Sequence, residues 1–173
     1  MSRNPAPLGN IRTYKGKNRY KQGKFTPQNP DKYIGNIPIL YRSSWEFAFC
    51  KFCDLNAKVN KWSTESIVIP FQITDNGKTK NHRFFPDFYV EMTSNDPEKY
   101  DKIIIEIKPK RELNFPIPPK RQTLKMLENY EYAMRTYKNN LHKWAYAKEW
   151  CEKRHIKFII ITEDDLKKRG LIS

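Results

Sequence analysis

Two short segments carry the side chains best suited to chemistry. Phe84-Phe85-Pro86-Asp87-Phe88 sets a proline and a carboxylate in an apolar run, and Ile103 to Lys108 sets a second carboxylate and an ammonium group in another. Strand side chains alternate with period two, so Glu106 and Lys108 share a face, roughly 6–7 Å apart along the strand. Ile103, Ile105 and Ile107 then point the other way, into a core. A strand over Arg83–Met92 gives Phe84, Phe88, Val90 and Met92 to one face and Asp87 to the other. If the two strands pair, Asp87 and Glu106 converge on one hard cation that prefers oxygen ligands. Lys108 is then left beside an attacking water and a scissile phosphodiester. Each part alone is weak, because a charge on a half-exposed strand is ordinary and Glu-x-Lys occurs in any lysine-rich chain. Proline inside an apolar strand is confined to edges and bulges, so its place directly before Asp87 marks an irregularity worth a site.

The elements that must hold these residues are legible in outline. Ser43 to about Ala57 has a helical apolar arc of Trp45, Ala48, Phe49, Phe52, Cys53 and Leu55. Glu46 sits at the rim of that arc. Ser43-x-x-Glu46 is a capping-box signature, with the glutamate reaching back to the cap; the other reading makes Glu46 a third acid delivered from a helix packed over the sheet. Pattern alone favours the cap. Ser66–Thr74 reads as the first strand, Asp75-Asn76-Gly77 as a turn, Arg83–Met92 as the second strand and Lys102–Lys108 as the third. A crossover with Pro116, Pro118 and Pro119 leads to a helix from Lys120 to about Lys138, with Leu124, Leu127, Tyr130, Met134 and Tyr137 on one side. Asn139-Asn140 divides it from another helix with Leu141, Trp144, Ala147 and Cys151 inward. Lys157–Ile161 is a buried strand, and Thr162 caps a last helix that stops at Gly170. The order α-β-β-β-α-α-β-α predicts an α/β fold, a mixed sheet flanked by helices.

Length and charge narrow the class. A chain of 173 residues suits a single domain, and a formal charge of +14 points to a polyanionic partner. Nucleic acid is the first choice and an anionic membrane surface the second. No apolar run approaches the roughly 18–20 residues of a membrane span, and the Met1 end lacks an apolar signal core. Three cysteines cannot all pair, which points to a reducing compartment. Cys50-x-x-Cys53 is half a zinc motif with no second half, so packing on the helix is the better reading. Residues 1–41 carry Arg3, Arg12, Lys15, Lys17, Arg19, Lys21, Lys24 and Lys32 against the single acid Asp31. With Tyr14, Tyr20, Phe25 and Tyr33 interleaved and no helical or strand period, they read as an extended basic arm that clamps nucleic acid. The nuclease-like remainder is residues 42–173. Glu65 is a weaker candidate for the site.

Glu46 on the first helix, Pro86-Asp87 on the second strand and Glu106-Ile107-Lys108 on the third resemble the PD-(D/E)xK nuclease superfamily, which implies a restriction-endonuclease-like fold. Lys21 to Gly35, Tyr41-Arg42-Ser43-Ser44-Trp45-Glu46, Lys61 to Glu65, Phe85 to Phe88, Glu106 to Pro109 and Ile160 to Glu163 extend the match. Together they resemble the head-completion nucleases of myovirus-type tailed bacteriophages, over nearly the whole chain from about Lys21. That resemblance implies a metal-dependent DNA nuclease with endonuclease and exonuclease activity, needed to join filled heads to tails, with trimming of packaged DNA as one route. It implies Mg²⁺ or Mn²⁺ as cofactor, double-stranded DNA and phage head or neck assembly proteins as partners, and the infected host cytoplasm or the virion neck as location. Residue by residue it makes Asp87 and Glu106 metal ligands and Lys108 the catalytic lysine. Glu46 becomes the helix-borne acid that binds or orients the cation, and the Ile107 carbonyl a further ligand. Arg42 and Ser43 are candidates for phosphate contact or for the cap, and His82 and Arg83 for DNA contact or for plain surface roles. Lys15, Lys17, Lys21 and Lys24 are DNA-binding candidates of the arm. A transposase-subunit or junction-resolving nuclease of the same superfamily is the competing enzyme, and a DNA-binding head–tail connector without catalysis is the competing class.

Overall fold

The protein is described by a computed structural model covering residues 22–75, 77–93 and 101–173. Lys15, Lys17 and Lys21 of the basic arm lie outside the described residues. A four-stranded sheet forms the centre, with strands β3 (Val59–Thr64), β6 (Phe88–Met92), β7 (Lys102–Ile107) and β8 (Lys157–Ile161) side by side in that order. β6 runs antiparallel to both β3 and β7, whereas β7 and β8 are parallel. Parallel neighbours need a long crossover, and helix α2 (Leu124–Glu152) lies within it.

Both faces of this sheet are covered, as the isoleucine-rich β7 and β8 require. Phe88, Val90, Ile105 and Ile107 meet Phe49, Cys50 and Cys53 of helix α1 (Ser44–Leu55) and Leu166 of helix α3 (Glu163–Lys168). Ile104 faces the other way, into a second core with Trp144, Ala147 and Cys151 of α2 and with Ile69, Phe71 and Phe84. The last three come from a separate hairpin, β4 (Ile69–Asp75) with β5 (Lys78–Phe84), turned at Gly77 with φ of 73°. The alternation expected of Ile103, Ile105 and Ile107 is therefore observed. Cys50, Cys53 and Cys151 are buried free thiols, and burial holds the Cys50 thiol up at about 12.

Several expected elements are drawn differently. The single strand Arg83–Met92 is two strands, because Pro86 removes a ladder donor and the chain turns between β5 and β6. Phe84 consequently packs in the second core and not beside Phe88 and Val90. The strand read as Ser66–Thr74 is β4, and β3 precedes it unanticipated, with Trp62 fully buried inside a polar stretch. The two helices expected on either side of Asn139-Asn140 are one helix of 29 residues. Asparagine is a weak helix former but costs only tenths of a kcal/mol in a helix interior, and Asn140 is buried with its amide toward Glu112. Leu141 is exposed on that helix, not inward, and Leu55 is exposed at the end of α1.

The described part of the basic arm is folded onto this body. Strands β1 (Gly23–Phe25) and β2 (Ile39–Tyr41) pair antiparallel, Ile39 is in the first core, and Phe25 and Tyr33 pack edge-on against Trp62. The backbone N–H groups of Gln28 and Asn29 donate to the buried carboxylate of Asp54, at 2.7 and 2.9 Å, and Lys32 Nζ donates to the carbonyls of Asp54 and Asn56. An extended conformation therefore does not describe residues 22–41, whose aromatic residues are taken up by packing.

Candidate active site

The site begins where β6 and β7 start their ladder. Phe88 pairs with Ile105, so continuing the antiparallel register sets Asp87 opposite Glu106. Asp87 itself stands just outside β6, and its Oδ2 accepts the Ile107 backbone N–H at 2.7 Å. Glu106 is buried. Its Oε1 meets Lys108 Nζ at 3.2 Å, the same-face contact that period-two spacing demands, while its Oε2 has no hydrogen-bond partner among the described residues. A second ammonium group, that of Lys143 on α2, lies 3.1 Å from the same Oε1.

The electrostatics follow from burial of like charges. Desolvation, and then the neighbouring Glu106, push the Asp87 carboxyl up to about 7. Burial alone would lower the Lys108 ammonium, but Glu106 and Asp87 outweigh it and hold that pKa above its ordinary value. The lysine thus stays charged, while the acid beside it gives up its proton far less readily than an ordinary aspartic acid.

α1 brings Glu46 to the rim of this group. The Ser43 hydroxyl donates to Glu46 Oε1 at 3.0 Å and the Arg42 backbone N–H donates to Oε2 at 2.7 Å, while Glu46 N–H donates back to Ser43 Oγ. Ser43 is thus the N-cap, but the box that the spacing indicated is only half formed, because the glutamate takes the Arg42 N–H, one residue before the cap, and the Ser43 hydroxyl. Glu46 also adds to the upward push on Asp87. Arg42 donates from its guanidinium to Glu65 Oε2 at 2.9 Å, and that bond, followed by the charges of Glu65, Glu46 and Asp87, raises its pKa. Glu65 adopts φ of 45°, uncommon for a residue with a Cβ, and its N–H donates to the Asp87 carbonyl. The weakest of the acidic candidates is thereby tied to the backbone of the strongest.

The remaining expected residues stand elsewhere. His82 and Arg83 are exposed on β5, His82 stacked on Phe71 and Arg83 over the Phe85 ring. Lys24 is exposed on β1. Lys143 is the residue that sequence reasoning missed. It lies three residues after buried Asn140 and four before buried Ala147, so a lysine on the inward arc of α2 was the available signal.

Among the described residues no three His, Cys, Asp or Glu side chains are gathered as a finished metal cage. The donor set nevertheless suits a hard cation. The buried carboxylate of Glu106 adjoins the half-buried one of Asp87, the latter is destabilised as an anion, and Glu106 Oε2 is a desolvated acceptor with no donor among the described residues. A buried unpaired acceptor costs about 1–3 kcal/mol, more when charged, and an oxygen-seeking ion at that point would relieve it.

Comparison with known proteins places the chain in a family. A family model described as the TnsA-like endonuclease N-terminal domain matches residues 56–163, the stretch from before β3 to the start of α3. The head completion nuclease of Enterobacteria phage T4 is 36% identical over 149 residues, which cover 86% of this chain and 95% of that protein.

Proposed function

This chain belongs to the TnsA-like endonuclease family, and from that premise we propose that it is a divalent-metal-dependent DNA nuclease that acts in phage head completion. The nuclease class and the mixed α/β, restriction-endonuclease-like architecture follow from family membership. The observation that carries the mechanism is the meeting of Asp87, Glu106 and Lys108, two acids and a charged lysine, beside an unsatisfied carboxylate oxygen.

Asp87 and Glu106 would hold Mg²⁺ or Mn²⁺, with the Ile107 carbonyl as a neutral donor and Glu46 contributing charge from α1. The ion, when bound, supplies charge neutralisation at the phosphate and a more acidic water. The chain's own residues do the rest. Asp87 is fixed by the Ile107 N–H, so its free oxygen keeps one direction. Lys108 orients the attacking water or stabilises charge on the five-coordinate phosphorus, which its raised pKa suits because it stays protonated. Arg42 is exposed beside the acids and is placed to touch a flanking phosphate by exchanging Glu65 for it. Double-stranded DNA is the proposed substrate, with Lys15, Lys17, Lys21, Lys24, Ser43, His82 and Arg83 as proposed backbone contacts. Head or neck assembly proteins are the proposed partners, in the infected cell or at the virion neck. No described helix is long and apolar enough to cross a membrane.

The deciding experiment is a plasmid-nicking assay with and without Mg²⁺. Ion-dependent nicking that disappears in Glu106→Gln supports the reading; nicking unaffected by chelator, or by Glu106→Gln, overturns it.

A further inference from the structure

Two ammonium groups contact a single oxygen of Glu106, and only one of them is supplied by the Glu-x-Lys strand. Lys108 comes from β7 itself, and Lys143 comes from α2, 37 residues further along the chain than Glu106. The Lys143 ammonium also lies over the Phe84 ring, 4.7 Å from its centroid, and the side chain keeps 19% of its surface exposed. It therefore stands at the edge of the site and not sealed beneath it. A flexible four-carbon stem lets its ammonium exchange one oxygen for another a few ångströms away without moving the helix.

Charge counting gives this contact a consequence. With Asp87 and Glu106 both ionised, Lys108 and Lys143 balance them, and Glu46 at the rim leaves a single negative charge over, Arg42 being paired with Glu65. A divalent cation at the carboxylates turns that into an excess positive charge in a poorly solvated place. A DNA phosphate is the natural relief. We propose that Lys143 is a positioning residue that couples the two binding events: it rests on Glu106 in the free protein, weakens cation binding there, and transfers to a phosphodiester oxygen when duplex DNA arrives. Coupling of this kind is reciprocal, so DNA must tighten the cation by the factor by which the cation tightens DNA. The free enzyme is thereby kept poorly loaded until substrate is present. This inference rests on the metal-site reading above.

The test uses full-length protein at pH 8 and reads Mn²⁺ binding from the electron-paramagnetic-resonance signal of the free ion. Wild type, Lys143→Met, Lys143→Arg and Glu106→Gln are compared with and without a short phosphorothioate duplex, which keeps the backbone charge and hydrolyses slowly. Methionine keeps an unbranched helix-forming stem, and circular dichroism checks that each variant folds. Removing a unit charge a few ångströms from the ligands should tighten Mn²⁺ in Lys143→Met at least about tenfold without DNA. The duplex should tighten Mn²⁺ about tenfold or more in wild type and Lys143→Arg, and clearly less in Lys143→Met. Equal or weaker Mn²⁺ binding by DNA-free Lys143→Met overturns the coupling role while leaving the metal site standing. Mn²⁺ binding that is absent from every protein, or unchanged by Glu106→Gln, overturns the metal site and the inference together.

Discussion

The backbone N–H of Ile107 donates to Asp87 Oδ2 at 2.7 Å, so the residue between Glu106 and Lys108 is also the one that fixes the opposing acid. Three side chains, two at the end of β7 and one just before β6, are thus set by one hydrogen bond and one strand alternation. Asp87→Ala, Glu106→Ala and Lys108→Ala should each lose at least about a hundredfold in cleavage rate, equivalent to roughly 2.7 kcal/mol of barrier. Gel-shift affinity for DNA should largely survive. Near-wild-type cleavage by purified Lys108→Ala would remove that lysine from the mechanism.

Glu46 has two roles that one pair of substitutions separates. Glutamine keeps a single acceptor oxygen, so Glu46→Gln retains one of the two cap bonds and loses the charge. It should melt within a few degrees of wild type and cleave roughly tenfold more slowly at limiting Mg²⁺, with recovery at high Mg²⁺. A Glu46→Ala protein with full activity and only a lowered melting temperature would leave the cap as its sole function.

The pH dependence has a definite sign. The Asp87 carboxyl lies at about 7 in the folded protein against an ordinary value of 3.8. The folded state therefore binds this proton more tightly, and the associated stability is full below about 4 and lost as pH rises through about 7. Between pH 4 and pH 8 the ion-free wild type should lose roughly 1–3 kcal/mol relative to Asp87→Asn, whose amide oxygen still accepts the Ile107 N–H. Mg²⁺ should restore much of that loss in wild type at pH 8, because the cation competes with the proton. Parallel denaturation profiles for the two proteins across this range would contradict the assignment.

Asp54 anchors the segment that precedes α1. Asp54→Ala leaves the Gln28 and Asn29 N–H groups without their acceptor. Hydrogen bonds to a charged group are worth about 1.5–3 kcal/mol each, so the variant should be destabilised by roughly 3 kcal/mol and melt about 6–12 °C lower. Hydrogen exchange of the Gln28 and Asn29 amides should accelerate first. An unchanged melting temperature would mean that the anchor contributes nothing net.

Deleting residues 1–20 removes Arg3, Arg12, Lys15, Lys17 and Arg19 and spares the packed block that follows. If those cations touch phosphates, the slope of log affinity against log salt should become shallower, by up to about 0.9 for each phosphate left unneutralised. Turnover at saturating DNA should barely change. An unaltered slope would reassign the charge of this stretch to docking on another assembly protein.

The parts of the site legible in the sequence are those governed by local rules. Period-two alternation sets Glu106 with Lys108, and a three-residue spacing sets Ser43 with Glu46, so neither depends on the rest of the fold. What was not legible depends on distant partners. β3 hides because Asn60, Lys61 and Ser63 interrupt it, and it takes pairing with β6 and packing of Tyr33 and Phe25 on Trp62 to make the stretch a buried edge strand of the main sheet. The helix break expected at Asn139-Asn140 fails because asparagine costs a helix little, and Asn140 is buried with its amide turned toward Glu112, 28 positions earlier. Lys143 has no local signature beyond its place on the inward arc of α2, and only the packing of α2 on the Ile104 face of the sheet gives it Glu106.

The β6–β7 ladder ends at Phe88 and Ile105, whereas β7 stays joined to β8 through Ile107 and Ile161, and the Lys108 N–H donates onward to the Ile161 carbonyl. The acids therefore sit in a notch, where one neighbouring strand has departed and the other still holds. The Asp87 carboxylate plugs the donor that the departing strand leaves open. Charge can enter and leave this notch through side-chain movements alone, since β8 keeps the backbone of Glu106 and Lys108 still. The exposed side chains of the β4–β5 hairpin can change without disturbing that backbone, whereas its buried Ile69, Phe71 and Phe84, and the fully buried Pro86 of the bend, are held by the core they fill.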